Sequence, residues 1–261
     1  MVEGLELTRE GPVAILTLSR PERRNAFTRD MRMAMIAEIE ALNLDDSCRA
    51  VVLTGAGGHF SAGADISNVG KDEAPWSLIK TRQNMAEVHR VVRAIVTSPK
   101  IFIAAVEGLA FGGGFALAAA CDQLVAAKTA RFGAAFCKLG LIGDMGLMWS
   151  LKERVGLARA KRVILIGKEV SGAEAGEIGL ADETVETGEA LSAALALARQ
   201  FAEVAPLSMA YTKASYARGI DGIEDAFDCE LDYVPILNRT EDFKAAVTAF
   251  QTKTKPVFTG R

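Results

Sequence analysis

The sequence is poor in the residues from which most metal and disulfide sites are built. It has only two histidines and four cysteines among 261 residues. The cysteines match neither a zinc-ligand spacing nor a disulfide framework, because they lie far apart at Cys48, Cys121, Cys137 and Cys229. We therefore expect no metal site, and reduced thiols in a cytoplasmic protein.

Long apolar runs and blocks of one charge are also missing. No apolar run approaches the length needed to span a membrane, and MVEGLELTRE at 1–10 lacks the pattern of a signal peptide. The net charge is −3 and no Lys/Arg block occurs, which disfavours nucleic acid as a partner. Half of the residues are hydrophobic and 24% are charged, which is the balance of an ordinary globular protein. We expect neither a membrane nor a nucleic-acid partner.

Strands and helices alternate as far as about residue 185, and the chain beyond is helical. Short apolar runs between turn residues predict strands at 5–8, 13–18, 50–53, 101–106, 124–127 and 180–185. Apolar residues at helical spacing predict helices at 28–42, 81–97, 115–121, 144–154, 157–166, 188–203, 207–218, 223–237 and 240–251. The pattern predicts an α/β core followed by a helical C-terminal region.

The stretch IAAVEGLAFGGGFALAAACD at 103–122 is the most informative part of the chain. Three glycines at 112–114 separate an apolar strand from a small apolar helix. Such a turn presents backbone N–H groups at a helix N-terminus, which suits a negatively charged oxygen. Three glycines alone also fit a tight turn with close helix packing. A second glycine-rich turn at 54–66 also follows a strand, and it favours the anion-binding interpretation.

Six motifs together resemble the enoyl-CoA hydratase/isomerase family, the crotonase superfamily. They are RPERRNAF at 20–27, HFSAGADI at 59–66, AAVEGLAFGGG at 104–114, ACDQLVAA at 120–127, VSGAEAGEIGLAD at 170–182 and AFQTKTKPVFTG at 249–260. The resemblance covers essentially the whole chain. It implies a crotonase (ClpP-like) spiral of ββα turns over 1–200, with a helical trimerisation region over 201–261. It also implies an acyl-CoA substrate, a homotrimer or dimer of trimers, and no metal or redox cofactor.

By motif position, the resemblance places an oxyanion hole at the backbone N–H groups of Ala64 and Gly113. An enolate formed from a thioester carries its charge on one oxygen, which two fixed amides can hold. The further substrate contacts that we expect are Arg24, Ala26, Ala62, Asp65, Ile66, Gly112, Phe250 and Lys253, with Trp76 and Phe136 at the acyl pocket. Two simpler interpretations stay open: Lys253 also fits a solvated surface lysine, and the aromatic residues also fit the protein core.

Two acidic residues of the family's hydratases are absent from this sequence. In those enzymes one glutamate stands two residues past the three glycines, and another stands in a later segment. Here the two positions are Ala116 and Phe136. Hydration needs one group to activate water and another to deliver a proton, and neither of these side chains can do so. The departure from the motif disfavours a hydratase.

One carboxylate remains near the glycine turn: Asp144, in FCKLGLIGDMG at 136–146. Several isomerases of the family carry an acid here, and the segment is most similar to the ring-epoxide isomerases of phenylacetate breakdown. We predict double-bond migration in an enoyl-CoA, with Asp144 as the single acid/base. If Phe136, Met145 and Met148 surround the carboxylate, desolvation raises its pKa. The alternative interpretation makes Asp144 the N-cap of a helix that begins there.

Three other functions stay open. The first is a hydratase in which another acid does the work. The second is a hydrolytic aryl-CoA dehalogenase, in which Asp144 attacks the ring and a histidine activates water. That histidine stands nineteen residues before the first glycine of the motif, and counting back from Gly108 gives His89. His89 also fits an ordinary histidine on a helix surface. The third is an acyl-CoA binder without activity.

Overall fold

Nine strands and ten α-helices make up the described part of the computed structural model, which comprises residues 2–65, 67 and 77–261. The strands are β1 (Leu5–Glu10), β2 (Val13–Leu18), β3 (Ala50–Gly55), β4 (Ile101–Val106), β5 (Leu109–Phe111), β6 (Gln123–Ala127), β7 (Arg131–Gly133), β8 (Glu169–Ser171) and β9 (Glu183–Val185). The helices are α1 (Arg29–Leu44), α2 (Leu78–Val96), α3 (Gly113–Ala120), α4 (Leu147–Val155), α5 (Leu157–Ile166), α6 (Gly172–Ile178), α7 (Ala190–Ala202), α8 (Pro206–Arg218), α9 (Ile223–Leu237) and α10 (Glu241–Thr252). Two short 3₁₀ helices cover Pro21–Arg23 and Ala135–Leu139.

The strands form two sheets. The larger has the order β1-β2-β3-β4-β6-β9, and only the β1–β2 pair in it is antiparallel. The smaller has the order β5-β7-β8. Because β2, β3 and β4 run in parallel, the loops that follow them leave the same edge of the large sheet. Ligands of open α/β sheets bind at this edge, outside the carboxyl ends of the strands.

Alternating side chains of the large sheet enter two separate hydrophobic clusters. On β2, Val13 and Ile15 belong to one cluster, whereas Ala14 and Leu16 belong to the other. The first cluster is closed by the alanine-rich face of α7, and the second by α1, α2 and α3. A strand that is covered on both sides is expected to carry apolar residues on both faces, and β4, with the sequence IFIAAV, is accordingly a continuous apolar run.

The predicted α/β core with a helical C-terminal region is confirmed, and the differences from the prediction are local. Helix α2 begins at Leu78 rather than at residue 81, because Ser77 caps it by accepting the N–H of Lys80 at 3.2 Å. Helix α4 begins at Leu147 rather than at residue 144. The division at residue 200 stays a prediction. Among the described helices, none combines the length and the apolar character that crossing a bilayer requires.

Candidate active site

Two loops at the carboxyl edge of the large sheet are joined by backbone hydrogen bonds. Ser61, in the loop after β3, donates its N–H to the Leu109 carbonyl and accepts the N–H of Phe111, both at 2.9 Å. A parallel β-bridge also pairs Ala64 of this loop with Phe27, which lies in the loop after β2. Three loops that are far apart in the sequence therefore meet at one place.

Glycine is required where these loops touch. A Cβ atom at Gly63 would lie 2.8 Å from the Phe111 carbonyl oxygen and 2.9 Å from the Gly113 nitrogen. Gly63 also has a φ of +94°, which a side chain disfavours. A Cβ at Gly114 would lie 2.3 Å from the Ser61 carbonyl oxygen. The glycines thus bring the 59–65 loop against the first turn of α3.

This close approach brings together two chain segments that each contain a backbone N–H without a protein acceptor, at Ala64 and at Gly113. Phe27 donates to the Gly63 carbonyl at 2.9 Å and accepts from the Asp65 N–H at 3.0 Å. The N–H of Ala64, between them, therefore points away from Phe27, as alternate groups of an extended chain do. Gly113 is the first residue of α3, so its N–H has no partner within the helix. Within the described chain neither N–H donates to a protein oxygen, and the pair suits a negatively charged oxygen.

A buried polar network that the sequence did not reveal holds this turn. The Ser61 hydroxyl donates to the Asn25 carbonyl at 2.7 Å and accepts the N–H of Gly63 at 3.0 Å. The Asn25 side-chain amide donates to the carbonyls of Ala56 at 2.8 Å and His59 at 2.7 Å. Both Asn25 and Ser61 are fully buried. Buried networks in which each polar group is paired impose a single geometry, and this one fixes the loop that presents the Ala64 N–H.

Asp144 lies close to the glycine turn and does not cap a helix. The N-cap of α4 is Gly146, and left-handed conformations at Met145 (φ 49°) and Gly146 (φ 74°) keep Asp144 outside the helix. The N-cap interpretation is therefore wrong. A Cβ at Gly113 would lie 2.8 Å from the Met145 sulfur, so the residue after Asp144 packs directly on this turn.

The Asp144 carboxylate is partly buried and incompletely bonded. Its Oδ1 atom is inaccessible to solvent and accepts no hydrogen bond from any described residue. Burial raises the pKa of Asp144, and the charges of His89 and Arg32 oppose this shift. Phe136 and Met145 are buried, as expected, whereas Met148 is 55% exposed and does not enclose the carboxylate. A carboxylate whose pKa is raised is a stronger base, which suits a group that accepts and returns a proton.

A cavity of about 400 Å³ lies beside this segment. His89 and Val92 of α2 line one side, and Met145, Gly146 and Trp149 line the other. Neither this cavity nor a larger one of about 750 Å³ is lined by Asp144, Ala64 or Gly113. The larger cavity contains two ion pairs, Lys213 with Asp122 and Arg154 with Asp182.

Four of the predicted substrate contacts lie together beside the 59–65 loop. The Arg24 carbonyl accepts the N–H of Ala62 at 2.8 Å. Arg20, which the sequence analysis did not single out, donates from one Nη atom to the Ala26 carbonyl at 2.8 Å and to the Asp65 carboxylate at 2.9 Å. Hydrogen bonds from Ser67 and then from Arg20 lower the pKa of Asp65 to about 2. Arg24, Ala26, Ala62 and Asp65 are thus brought together.

Two further predicted contacts meet at the glycine turn, because a Cβ at Gly112 would lie 4.0 Å from the Phe136 ring. Phe250 is 88% exposed on α10, and Lys253 ends that helix with a φ of 55°. Ile66 and Trp76 lie outside the described residues. Within the described ranges, no group of three or more His, Cys, Asp or Glu residues is arranged to hold a metal ion.

A family model, curated relatives and a solved structure all match this chain over nearly its whole length. The family model described as enoyl-CoA hydratase/isomerase matches residues 8–261. The 1,2-epoxyphenylacetyl-CoA isomerase of Escherichia coli K12 is 34% identical over 97% of both chains. The short-chain-enoyl-CoA hydratase of Clostridium acetobutylicum is 35% identical over 95% of both chains. The crystal structure of an enoyl-CoA hydratase from Polaromonas sp. JS666 superposes with a TM-score of 0.90, at 33% identity over 97% of this chain and 99% of that one.

Proposed function

Because this chain belongs to the enoyl-CoA hydratase/isomerase family, we propose that it moves a double bond within the acyl group of an enoyl-CoA thioester. The family and the crotonase fold expected from the sequence are confirmed, and with them an enzyme of acyl-CoA chemistry. Similar proteins carry both hydratase and isomerase names, so the reaction has to be argued from the residues of this site.

The observation that carries the proposal is the lone carboxylate beside the glycine turn. Ala116 is buried within α3 and Phe136 is buried beside Gly112, at the two positions where the family's hydratases have glutamates. Neither can activate or protonate water. Asp144, with one oxygen buried and unbonded, is left as the acid/base of this turn. One such group suits an isomerisation, which takes up and releases the same proton.

The proposed reaction begins with the thioester oxygen bound by the N–H groups of Ala64 and Gly113. Asp144 removes a proton from C2 of a 3-enoyl thioester, and the charge of the resulting dienolate collects on the bound oxygen. Each amide donor aimed at that oxygen lowers the barrier by about 3 kcal/mol. The protonated Asp144 then returns the proton at C4, which leaves a 2-enoyl thioester and the original carboxylate. Atoms and charge balance without a cofactor or a water molecule.

We extend the proposal to the CoA arm and to the assembly. Arg24, Ala26, Ala62 and Asp65 lie together beside the 59–65 loop, which supports a CoA-binding position there. Contacts at Ile66, Trp76, Phe250 and Lys253 stay predictions. Helix α9 exposes a row of large apolar side chains, which are Ile223, Phe227, Leu231 and Val234. An apolar row at this spacing favours burial against other subunits and supports the proposed homotrimer or dimer of trimers.

Hydrolytic dehalogenation is a second candidate, because His89 lies within electrostatic range of Asp144. It also lines the cavity that Met145 and Gly146 border. The test is chloride release from 4-chlorobenzoyl-CoA. Release that His89→Gln abolishes would favour the dehalogenase over the isomerase.

The proposed isomerase is tested with two substrates, 3-hexenoyl-CoA and crotonyl-CoA. We expect the absorbance of the conjugated thioester to rise with the first and to stay unchanged with the second. A fall with crotonyl-CoA would mean that water adds to the double bond, and it would establish a hydratase instead.

Replacing Ser61 by alanine is expected to lower kcat with little change in KM. The Gly63 N–H and the Asn25 carbonyl would lose their buried partner, at a cost of about 1–3 kcal/mol, and the turn that holds Ala64 would loosen. We expect a fall in kcat of about tenfold, because part of this energy is lost from oxyanion binding. Steady-state kinetics with 3-hexenoyl-CoA measures the effect. Ser192→Ala, on the distant α7, is the matched control, and an unchanged kcat for Ser61→Ala would refute the role of the network.

The activity is expected to fall at acidic pH, with the midpoint above the ordinary Asp value of 3.8. Asp144 must be ionised to accept a proton, and burial raises its pKa, so kcat/KM rises with pH through this raised value. A raised pKa also means that ionising Asp144 lowers the stability of the fold as the pH rises, so this group does not cause acid unfolding. A pH profile of kcat/KM, combined with thermal unfolding at each pH, separates the effect on activity from the effect on stability. A midpoint at or below 3.8 would contradict the burial argument.

A further inference from the structure

Arg20 is a largely buried arginine that the proposed reaction leaves without a role. It stands just before the 3₁₀ helix Pro21–Arg23, and its side chain is 21% exposed. A Cβ at Gly4 would lie 2.7 Å from Cγ and 2.8 Å from Cδ of Arg20, so the stem of the side chain packs directly on this glycine. The side-chain oxygen of Asn25 accepts the Arg20 N–H, and the Asn25 N–H donates to the Arg20 carbonyl, both at 2.9 Å. These contacts hold the backbone and the stem, so they direct the guanidinium to one place.

One guanidinium nitrogen joins two loops of the candidate site. The Nη1 atom of Arg20 donates to the Ala26 carbonyl at 2.8 Å and to the Asp65 carboxylate at 2.9 Å. The other oxygen of Asp65 accepts the N–H of Ser67 at 3.0 Å. Glu22 is a second carboxylate near Arg20, but it lies 3.9 Å from Nε and its side chain is 66% exposed. Asp65, with a side chain that is 16% exposed, is therefore the main ionic partner of Arg20.

Both groups that Arg20 joins are next to the residues that hold Ala64. Asp65 follows Ala64 directly, and Ala26 precedes Phe27, which forms a β-bridge with Ala64. The bridge has two backbone hydrogen bonds, of 2.9 and 3.0 Å. A two-stranded pairing is only marginally stable on its own, so one as short as this depends on further support. The Arg20 guanidinium supplies it by linking the same two segments through a side chain.

Loss of this link would leave polar groups of both loops unsatisfied. Without the guanidinium, the Asp65 carboxylate would lose its ionic partner and the Ala26 carbonyl would lose a hydrogen bond. Removing one member of a buried ion pair leaves an uncompensated charge, so the loop would move to bring the carboxylate into water. An oxyanion donor acts at about 2.7–3.1 Å from the developing charge, and a small displacement of Ala64 would therefore weaken it.

We propose that Arg20 is a positioning residue of the oxyanion hole. By binding the Ala26 carbonyl and the Asp65 carboxylate with one nitrogen, it fixes the direction of the Ala64 N–H toward the thioester oxygen. This inference deepens the proposed function and rests on it for the role of Ala64. Arg20 acts through the two loops and takes no part in the proton transfer. Because Arg20 and Asp65 act as a pair, the loss of either should have the same effect as the loss of both.

The inference is tested with acetoacetyl-CoA, a thioester that forms an enolate but has no double bond to move. Its enolate and neutral forms differ in ultraviolet absorbance, so a pH titration of the bound ligand measures its ionisation constant. Donors that bind the enolate oxygen raise this constant. We expect Arg20→Met, Asp65→Asn and the double variant each to lower it by about tenfold, which is part of the contribution of one donor. The control Arg23→Met removes an exposed cation from the neighbouring turn and should match the wild type.

The two single variants separate positioning from a plain effect of charge. Loss of the positive charge of Arg20 disfavours a nearby enolate, whereas loss of the negative charge of Asp65 favours it. A fall of the ionisation constant in both variants therefore indicates that the pair acts through the loop. A contact between Asp65 and the CoA arm would change the binding of both ligand forms equally, so it cancels in this constant.

Several results would overturn the inference. Opposite changes in Arg20→Met and Asp65→Asn would do so, as would an unchanged constant in either variant or losses that add in the double variant. If one single variant does not fold, the other decides. Absence of isomerisation together with an enolate that depends on Arg20 would contradict the proposed reaction and leave this inference standing. A wild-type protein that does not bind acetoacetyl-CoA would contradict both.

Discussion

Asp144→Asn is expected to lower kcat for 3-hexenoyl-CoA by about a thousandfold, because an amide cannot accept the C2 proton. The fold should tolerate the change. The Oδ1 atom of Asp144 is buried without a hydrogen bond, so the substitution breaks no contact of this atom and removes a poorly solvated charge. We therefore expect a melting temperature at or above that of the wild type. Kinetics and thermal unfolding on the same preparation measure both effects.

The matched control is Asp46→Asn, which neutralises an exposed aspartate at the end of α1. Its kcat should equal that of the wild type. If Asp144→Asn retained more than about a tenth of wild-type kcat, another group would have to act as the base. A loss of kcat accompanied by a large fall in melting temperature would instead indicate a structural role for Asp144.

Gly63→Ala is expected to have the second-largest effect. The new methyl group would lie 2.8 Å from the Phe111 carbonyl and 2.9 Å from the Gly113 nitrogen, and both of these atoms belong to the backbone. The loop would have to move away from α3, which would separate the N–H groups of Ala64 and Gly113. Loss of one oxyanion donor lowers kcat by about a hundredfold to a thousandfold, and we expect a fall within this range.

Gly58→Ala separates this steric effect from backbone strain. Gly58 lies in the same loop and also has a positive φ, at +77°, but a Cβ there meets no atom within 4 Å. This variant incurs a conformational cost of about 1–2 kcal/mol in stability and should keep its kcat. Equal losses of kcat in the two variants would show that flexibility of the loop, rather than the approach of Gly63 to Gly113, governs activity.

The parts of the fold that local patterns determine could be predicted from the sequence. The central strand at 101–106 and the glycine turn after it were predicted, because an apolar run and three glycines are visible without tertiary contacts. Thr28 caps α1 as expected, by accepting the N–H of Met31 at 3.2 Å. Asp144 was singled out by its place in a family motif and not by its own properties.

Features that depend on contacts between distant parts of the chain could not be predicted from the sequence. The strands β5, β7 and β8 have three residues each and exist through pairing with one another, so their sequences carry little periodicity. The start of α4 was wrong because the left-handed conformation of Met145, which is unusual for a side chain of that size, has no sequence signal. In the sequence, Asn25 and Arg32 cannot be distinguished from surface polar residues. Only the packing of other loops and helices around them shows that they are buried.

The central claim is that one carboxyl group carries the migrating proton. It is tested most directly by turning over 3-hexenoyl-CoA labelled with deuterium at C2, with enzyme in excess over substrate so that each molecule reacts once. If Asp144 removes and returns the proton, part of the deuterium appears at C4 of the product, as mass spectrometry and NMR would show. A product in which every new C4 hydrogen comes from water would show that the proton taken from C2 is not the one returned, and it would contradict the account.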